Sequence, residues 1–183
     1  ELKLQSPDNS DIQLIESQAL RCRDIVQRMR YASDIQEEIG KSTFTVGDLQ
    51  TSIGAYIKCD SLTGIVFSWN PDTKVTADFA GLTLSLVNLL DNALFASSGR
   101  PDPVSIGYKY SDSDHNFSVT NRGKAIPREV LERIGYPFFT TKDPGIGMGL
   151  GVYLVRLFCQ RNSGNFNITC DSSNLTTATM RFK

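Results

Sequence analysis

A chain of 183 residues is about one and a quarter typical domain lengths, enough for one domain with an appendage and too short for a multidomain machine. Hydrophobic residues at 40% and charged residues at 21% exclude a disordered tail or a collagen-like repeat. Nineteen Lys+Arg against twenty Asp+Glu leave a net charge of -1, so no basic excess announces a nucleic-acid partner.

The chain begins at Glu1 without Met or a signal-peptide pattern, and reads as an excised piece of something longer. Glu1 to Gln5 reads as the tail of a helix, and Ser6 to Ser10 as a tight loop. Ser10 and Gln13 then form a capping box, after which Ile12, Ile15, Ala19, Cys22, Val26 and Met29 recur at spacings of 3, 4, 3, 4 and 3. Such a seam, flanked by Arg21, Arg23, Asp24 and Arg28, predicts a helix packed on other helices, either within one chain or across a dimer. Near residue 40 the pattern changes, which divides the chain into a helical segment over 1–39 and a second domain over 40–183.

In that second domain strands are expected near 43–46, 65–69, 75–79, 104–110, 116–120, 165–170 and 176–182, and helices near 48–58, 82–97 and 149–161. Strands in runs with helices between some of them predict an α+β class, a two-layer sandwich with helices covering one face of a mixed sheet. No apolar run reaches the roughly 18 residues of a membrane span, the nearest being Gly145 to Phe158. Four cysteines, at 22, 59, 159 and 170, form no CxxC pair, so neither a zinc site nor a disulfide framework is expected.

Three segments carry chemistry. The helix over 82–97 is apolar nearly all round, yet Ser85, Asn88, Asn92 and Ala96 share one stripe. Asparagines at i and i+4 inside an apolar helix cost stability unless their oxygens meet a partner such as a hydrated Mg²⁺, or the stripe faces water. The segment DPGIGMGLG, Asp143 to Gly151, sets glycine at every second position from 145 and runs straight into a helix. A helix N-terminus behind glycines offers backbone N–H groups to a phosphate, although a merely flexible loop has the same composition. Between the two lie Phe117 to Pro127, a strand entering a turn through Asn121, Arg122 and Gly123, and then PFFTTK from Pro137 to Lys142.

The order of an NLLDNA helix, an Asn-x-Gly turn after a strand, PFFTTK and GxGxGLG before a helix resembles the N, G1, F and G2 boxes of sensor histidine kinases, within the Bergerat-fold ATPases. IESQALRCRDIV together with RIGYPFFTTK and GMGLGVYLVRLFCQRNSG looks like the redox-responsive RegB/PrrB type. The resemblance implies a catalytic domain that binds ATP and Mg²⁺ and passes the γ-phosphate to a histidine on a helical hairpin, of which 1–39 would be the C-terminal part. It implies Asn92 as the Mg²⁺ ligand with Asn88 assisting, Asn121 and Gly123 at adenine, and Thr141, Lys142, Gly147, Gly149, Leu150 and Gly151 at the triphosphate, beneath a lid over 122–148. It further implies a homodimer through the N-terminal helix, a response-regulator receiver domain as partner, Cys22 as a redox-active thiol, and a cytoplasmic portion of a bacterial inner-membrane sensor attached only through upstream segments.

Departures temper this. The histidine box is missing, so no catalytic residue is assigned, and the single histidine, His115, reads as a solvated turn residue between two strands. Asn121 stands where most relatives have Asp, Ala125 where they have a second glycine, and Phe95 where they often have a phosphate-contacting Lys, which leaves Lys142 to supply that charge. A degenerate nucleotide-sensing or dimerisation module is the alternative. A hydrolase is disfavoured, because its water-activating glutamate would fall at Asn88, and Asp91 points about 100° away from Asn92 on the helix.

Overall fold

The computed structural model describes residues 12, 40–57, 64–143 and 147–183, and the chain divides into two units, Glu1–Glu37 and Glu38–Lys183. Cys22, Cys59 and, apart from a helical Ile12, the N-terminal seam lie outside the described residues.

The second unit opens with β1 (Ser42–Thr45) and α1 (Val46–Tyr56). The start of α1 is set by a capping box: Thr45 Oγ1 accepts from Asp48 N at 3.1 Å, and the Asp48 carboxylate accepts from Thr45 N at 2.9 Å. Those bonds to Thr45 hold the Asp48 carboxyl below its ordinary range. Next come β2 (Ile65–Ser68) and β3 (Lys74–Ala77), then the long α2 (Phe79–Ala96), whose N-cap Asp78 accepts from Gly81 N at 3.0 Å.

The hairpin of β4 (Val104–Ser111) and β5 (Asp114–Arg122) leads to a short α3 (Arg128–Arg133) and to α4 (Gly151–Arg161), and β6 (Asn165–Cys170) and β7 (Leu175–Phe182) complete the order. Five strands form one sheet in the order β2-β4-β5-β7-β6, with β2 and β4 parallel and the other neighbours antiparallel, while β1 and β3 pair separately.

Alternation along the strands fixes the two faces of the sheet. In β5 Phe117, Val119 and Asn121 are buried between less buried Ser118, Thr120 and Arg122; in β7 Thr176, Ala178, Met180 and Phe182 repeat the pattern. The helices cover that buried face. Leu82, Leu86 and Leu90 of α2 and Val155, Phe158 and Cys159 of α4 meet Ile106, Phe117, Met180 and Phe182 in one core, and Leu49 and Ile53 of α1 pack into it. The expected two-layer sandwich over a mixed sheet is therefore present.

Several expectations need correction. His115 is not in a turn: it sits in β5 opposite Tyr110, half-buried, with a 2.9 Å hydrogen bond between Tyr108 Oη and its Nδ1, and with the Tyr110 and Phe182 rings beside it. Only Asp112 and Ser113 form the turn, and both carry positive φ. Val46 begins α1 and does not end β1, and Phe79 begins α2 and does not end β3, since a cap at Thr45 or Asp78 overrides the β propensity of the residue after it. Among the described residues the longest apolar helix is α2, at a mean hydropathy of 1.4 over 18 residues, but 56% of it is buried in this core. The helix α3, held by an Arg128–Glu132 pair at 3.0 Å, was not expected.

Candidate functional site

The polar stripe of α2 supplies the site. Ser85 and Asn88 are buried, Asn92 is half-buried, and Asp91 lies exposed on another face. A side chain on Gly151 would come within 3.2 Å of Asn88 Oδ1, so glycine at the first residue of α4 lets that helix end approach the stripe. The N-cap residue of α4, Leu150, makes no side-chain capping bond. The first-turn N–H groups of a helix have no intrahelical acceptors, and the positive end of its dipole favours an anion there.

One turn further along α2, the Lys142 ammonium donates to Asn92 Oδ1 at 2.9 Å and sits 4.4 Å from the centre of the Phe95 ring. The Asn92 carbonyl oxygen is thus turned toward a cation already. A hard neutral oxygen in that orientation fits a divalent ion such as Mg²⁺, and the adjoining helix end fits its phosphates.

The segment that carries Lys142 is fixed by its own contacts. Lys142 N donates to Thr140 Oγ1 at 3.1 Å, the Arg133 guanidinium lies 4.4 Å from the Phe139 ring centre, and the Arg156 guanidinium of α4 lies 5.7 Å from that of Tyr136. Gly149 has a φ of +69°, and a Cβ there would sit 2.5 Å from Phe138 C and Phe139 O, so Gly149 lies directly on this segment. Gly147 packs against Lys142 Cδ and Thr140 Oγ1 in the same way. Thr141, expected at the triphosphate, is exposed, and it is Thr140 that shapes the turn.

The far end of α2 meets β5. Asn121 is 5% exposed, and its Nδ2 donates to Ser97 Oγ at 3.2 Å, while Ser97 Oγ donates to Arg122 O at 3.0 Å. Gly123 passes so close that a Cβ would lie 3.3 Å from both Ala96 O and Asn121 Nδ2. The structure therefore gathers Asn88, Asn92, Lys142, Gly147, Gly149, Leu150 and Gly151 at the middle of α2, and Asn121 and Gly123 at its C-terminal end. Sequence reasoning missed Ser97 and the ring of Phe95 as a seat for Lys142. No sequence signal marked Ser97, because a serine at a helix end is common and its partner Asn121 lies far along the chain.

A family model described as histidine kinase-, DNA gyrase B- and HSP90-like ATPase matches residues 77–183. Sporulation kinase A of Bacillus subtilis is 28% identical over 145 residues, which cover 76% of this chain and 23% of that protein. Sensor histidine kinase ZraS of Salmonella typhimurium is 42% identical over 80 residues, which cover 43% of this chain and 17% of that protein. Among solved structures, the nucleotide-free catalytic domain of histidine kinase ThkA matches with a TM-score of 0.66 at 26% identity, over 78% of this chain and 94% of that one. Acinetobacter baumannii histidine kinase AdeS matches with a TM-score of 0.79 at 16% identity, over 99% of this chain and 87% of that one, a likeness of fold alone.

With this fold and this stripe of asparagines facing a glycine-led helix end, the chain belongs to the histidine kinase-, DNA gyrase B- and HSP90-like ATPases. The chain spans less than a quarter of the length of either curated relative above.

Proposed function

We propose that this domain holds MgATP along the polar stripe of α2 and presents the γ-phosphate to a histidine on a helix outside the chain. The observation that carries this reading is the pairing of Asn92 Oδ1 with a cation, one turn from Asn88 and the glycine-led start of α4. In this reading Asn92 ligates Mg²⁺ with Asn88 assisting, Asn121 and Gly123 hold adenine, and Thr141, Lys142 and the backbone of Gly147, Gly149, Leu150 and Gly151 hold the triphosphate. Bound Mg²⁺ supplies charge neutralisation across the phosphates. The protein's own contribution is positioning: α4 aims its N–H groups at phosphate oxygens, Lys142 supplies a positive charge, and the 122–148 segment serves as the lid that excludes water.

Residues 1–39 then serve as the C-terminal part of a dimerising hairpin, and a response-regulator receiver domain is the downstream partner. The RCR context of Cys22 supports the finer assignment to the RegB/PrrB type, with Cys22 as the redox-active thiol, and the same likeness supports the cytoplasmic side of a bacterial inner-membrane sensor.

Titration calorimetry with MgATP tests the reading. Asn92→Ala is expected to weaken MgATP binding at least about tenfold while leaving magnesium-free ADP binding nearly unchanged, because a metal ligand acts only through the metal. Equal affinities in both proteins would overturn the metal assignment, and a wild-type chain that binds no ATP would leave the degenerate module.

A further inference from the structure

Ser97 closes α2 at its C-cap and is 7% exposed. A serine hydroxyl has one proton to give and lone pairs to receive with. Here the proton goes to the Arg122 carbonyl at 3.0 Å, so toward Asn121 the same oxygen acts only as an acceptor. That decides which way the Asn121 amide faces. Its NH₂ must point at Ser97, and Oδ1 must point the other way. Were the amide reversed, Asn121 Oδ1 would compete with the Arg122 carbonyl for the single Ser97 hydroxyl proton, leaving an acceptor unsatisfied in a buried setting.

We propose that Ser97 sets the base selectivity of this site, as a positioning residue that acts through Asn121. The inference rests on the reading of Asn121 as the adenine contact. An amide alone is ambiguous, since its oxygen suits a base with an amino group at position 6 and its nitrogen suits a base with a carbonyl there. Locked by Ser97, the amide offers only the oxygen. A 6-amino purine then finds its acceptor, and a 6-oxo purine meets oxygen with oxygen. Arg122 is held in turn by the β5–β7 ladder, where it pairs with Leu175, and its Nη1 donates to Ser173 O at 3.1 Å, so the carbonyl that fixes the Ser97 proton is itself held in place.

The test compares ADP with inosine diphosphate, which carries a carbonyl at position 6, by calorimetry on the full chain with Mg²⁺. Wild type is expected to prefer ADP by about tenfold or more. Ser97→Ala frees the amide to turn, and the ratio should fall to within about twofold of unity, while Ser97→Thr keeps a hydroxyl and should restore the preference. Where the alanine variant does not hold its fold, Ser97→Cys, nearly isosteric and a weak partner, should show the same loss. An unchanged ratio in Ser97→Ala or Ser97→Cys would overturn the proposal. A wild type that binds both nucleotides equally would overturn it while leaving the site in place, and one that binds neither would remove the nucleotide reading itself.

Discussion

Lys142 and Phe95 show how one substitution changes the work of another. An ammonium over an aromatic face at a part-exposed position is worth about 0.5–1 kcal/mol, so Phe95→Ala should weaken ATP binding about two- to fivefold by releasing the Lys142 stem. Phe95→Leu, which keeps bulk and loses the ring's negative face, should behave like the alanine variant in the same titration; behaviour like wild type would mean that Phe95 acts by volume alone. At position 121 the usual carboxylate would bring two acceptors to Ser97 and compete with the Arg122 carbonyl for its proton. Asn121→Asp is therefore expected to hold ADP affinity near wild type without tightening it, whereas a tenfold gain would show that the Ser97 bond adapts freely. The asparagines and glycines of the site were legible in the sequence because each is an oddity in its setting: an amide in an apolar helix, a glycine at alternate positions before a helix. Ser97 was not, since a serine at the end of a helix is ordinary and its partner lies 24 residues away.

The elements were legible where periodicity extends over two turns or more, and blurred where a cap decided the boundary. Asp78 illustrates the second case: Val75 to Phe79 has strand-like composition, but the Asp78 carboxylate takes the Gly81 N–H and starts α2 one residue later. Asp78→Ala should cost about 1 kcal/mol in urea unfolding, and more than 2 kcal/mol would point to contacts beyond the cap. Gly149 is the stricter requirement. Alanine there meets both a left-handed backbone and the main chain of Phe138 and Phe139, so Gly149→Ala should loosen residues 147–149 from the PFFTTK segment and raise hydrogen exchange in both. The helix α3 escaped notice because six residues with no buried member leave no hydrophobic period to read.

For the whole domain, the histidine in β5 makes stability depend on pH. Burial, then the positive charge of Lys41, pull the His115 pKa below its ordinary 6.5, with Asp114 opposing them. The unfolded chain therefore binds more protons just below pH 6.5, and stability should fall as pH drops from 6.5 through the lowered value. His115→Phe should flatten that part of a plot of urea midpoint against pH; an unchanged slope would assign it to other groups. The thiol of Cys159, pushed up to about 12 by burial, stays protonated throughout and is an unsuitable seat for redox chemistry. The placement of β7 reaches further still. It lies between β5 and β6, so the strand that bears Asn121 has its neighbour on that side only when residues 175–182 are in place. On a ribosome, which adds about 5–20 residues per second, the asparagines of α2 emerge long before that strand. Nascent chains halted before residue 175 should bind no nucleotide and remain open to protease, and occupancy by ATP would report that synthesis has passed this point.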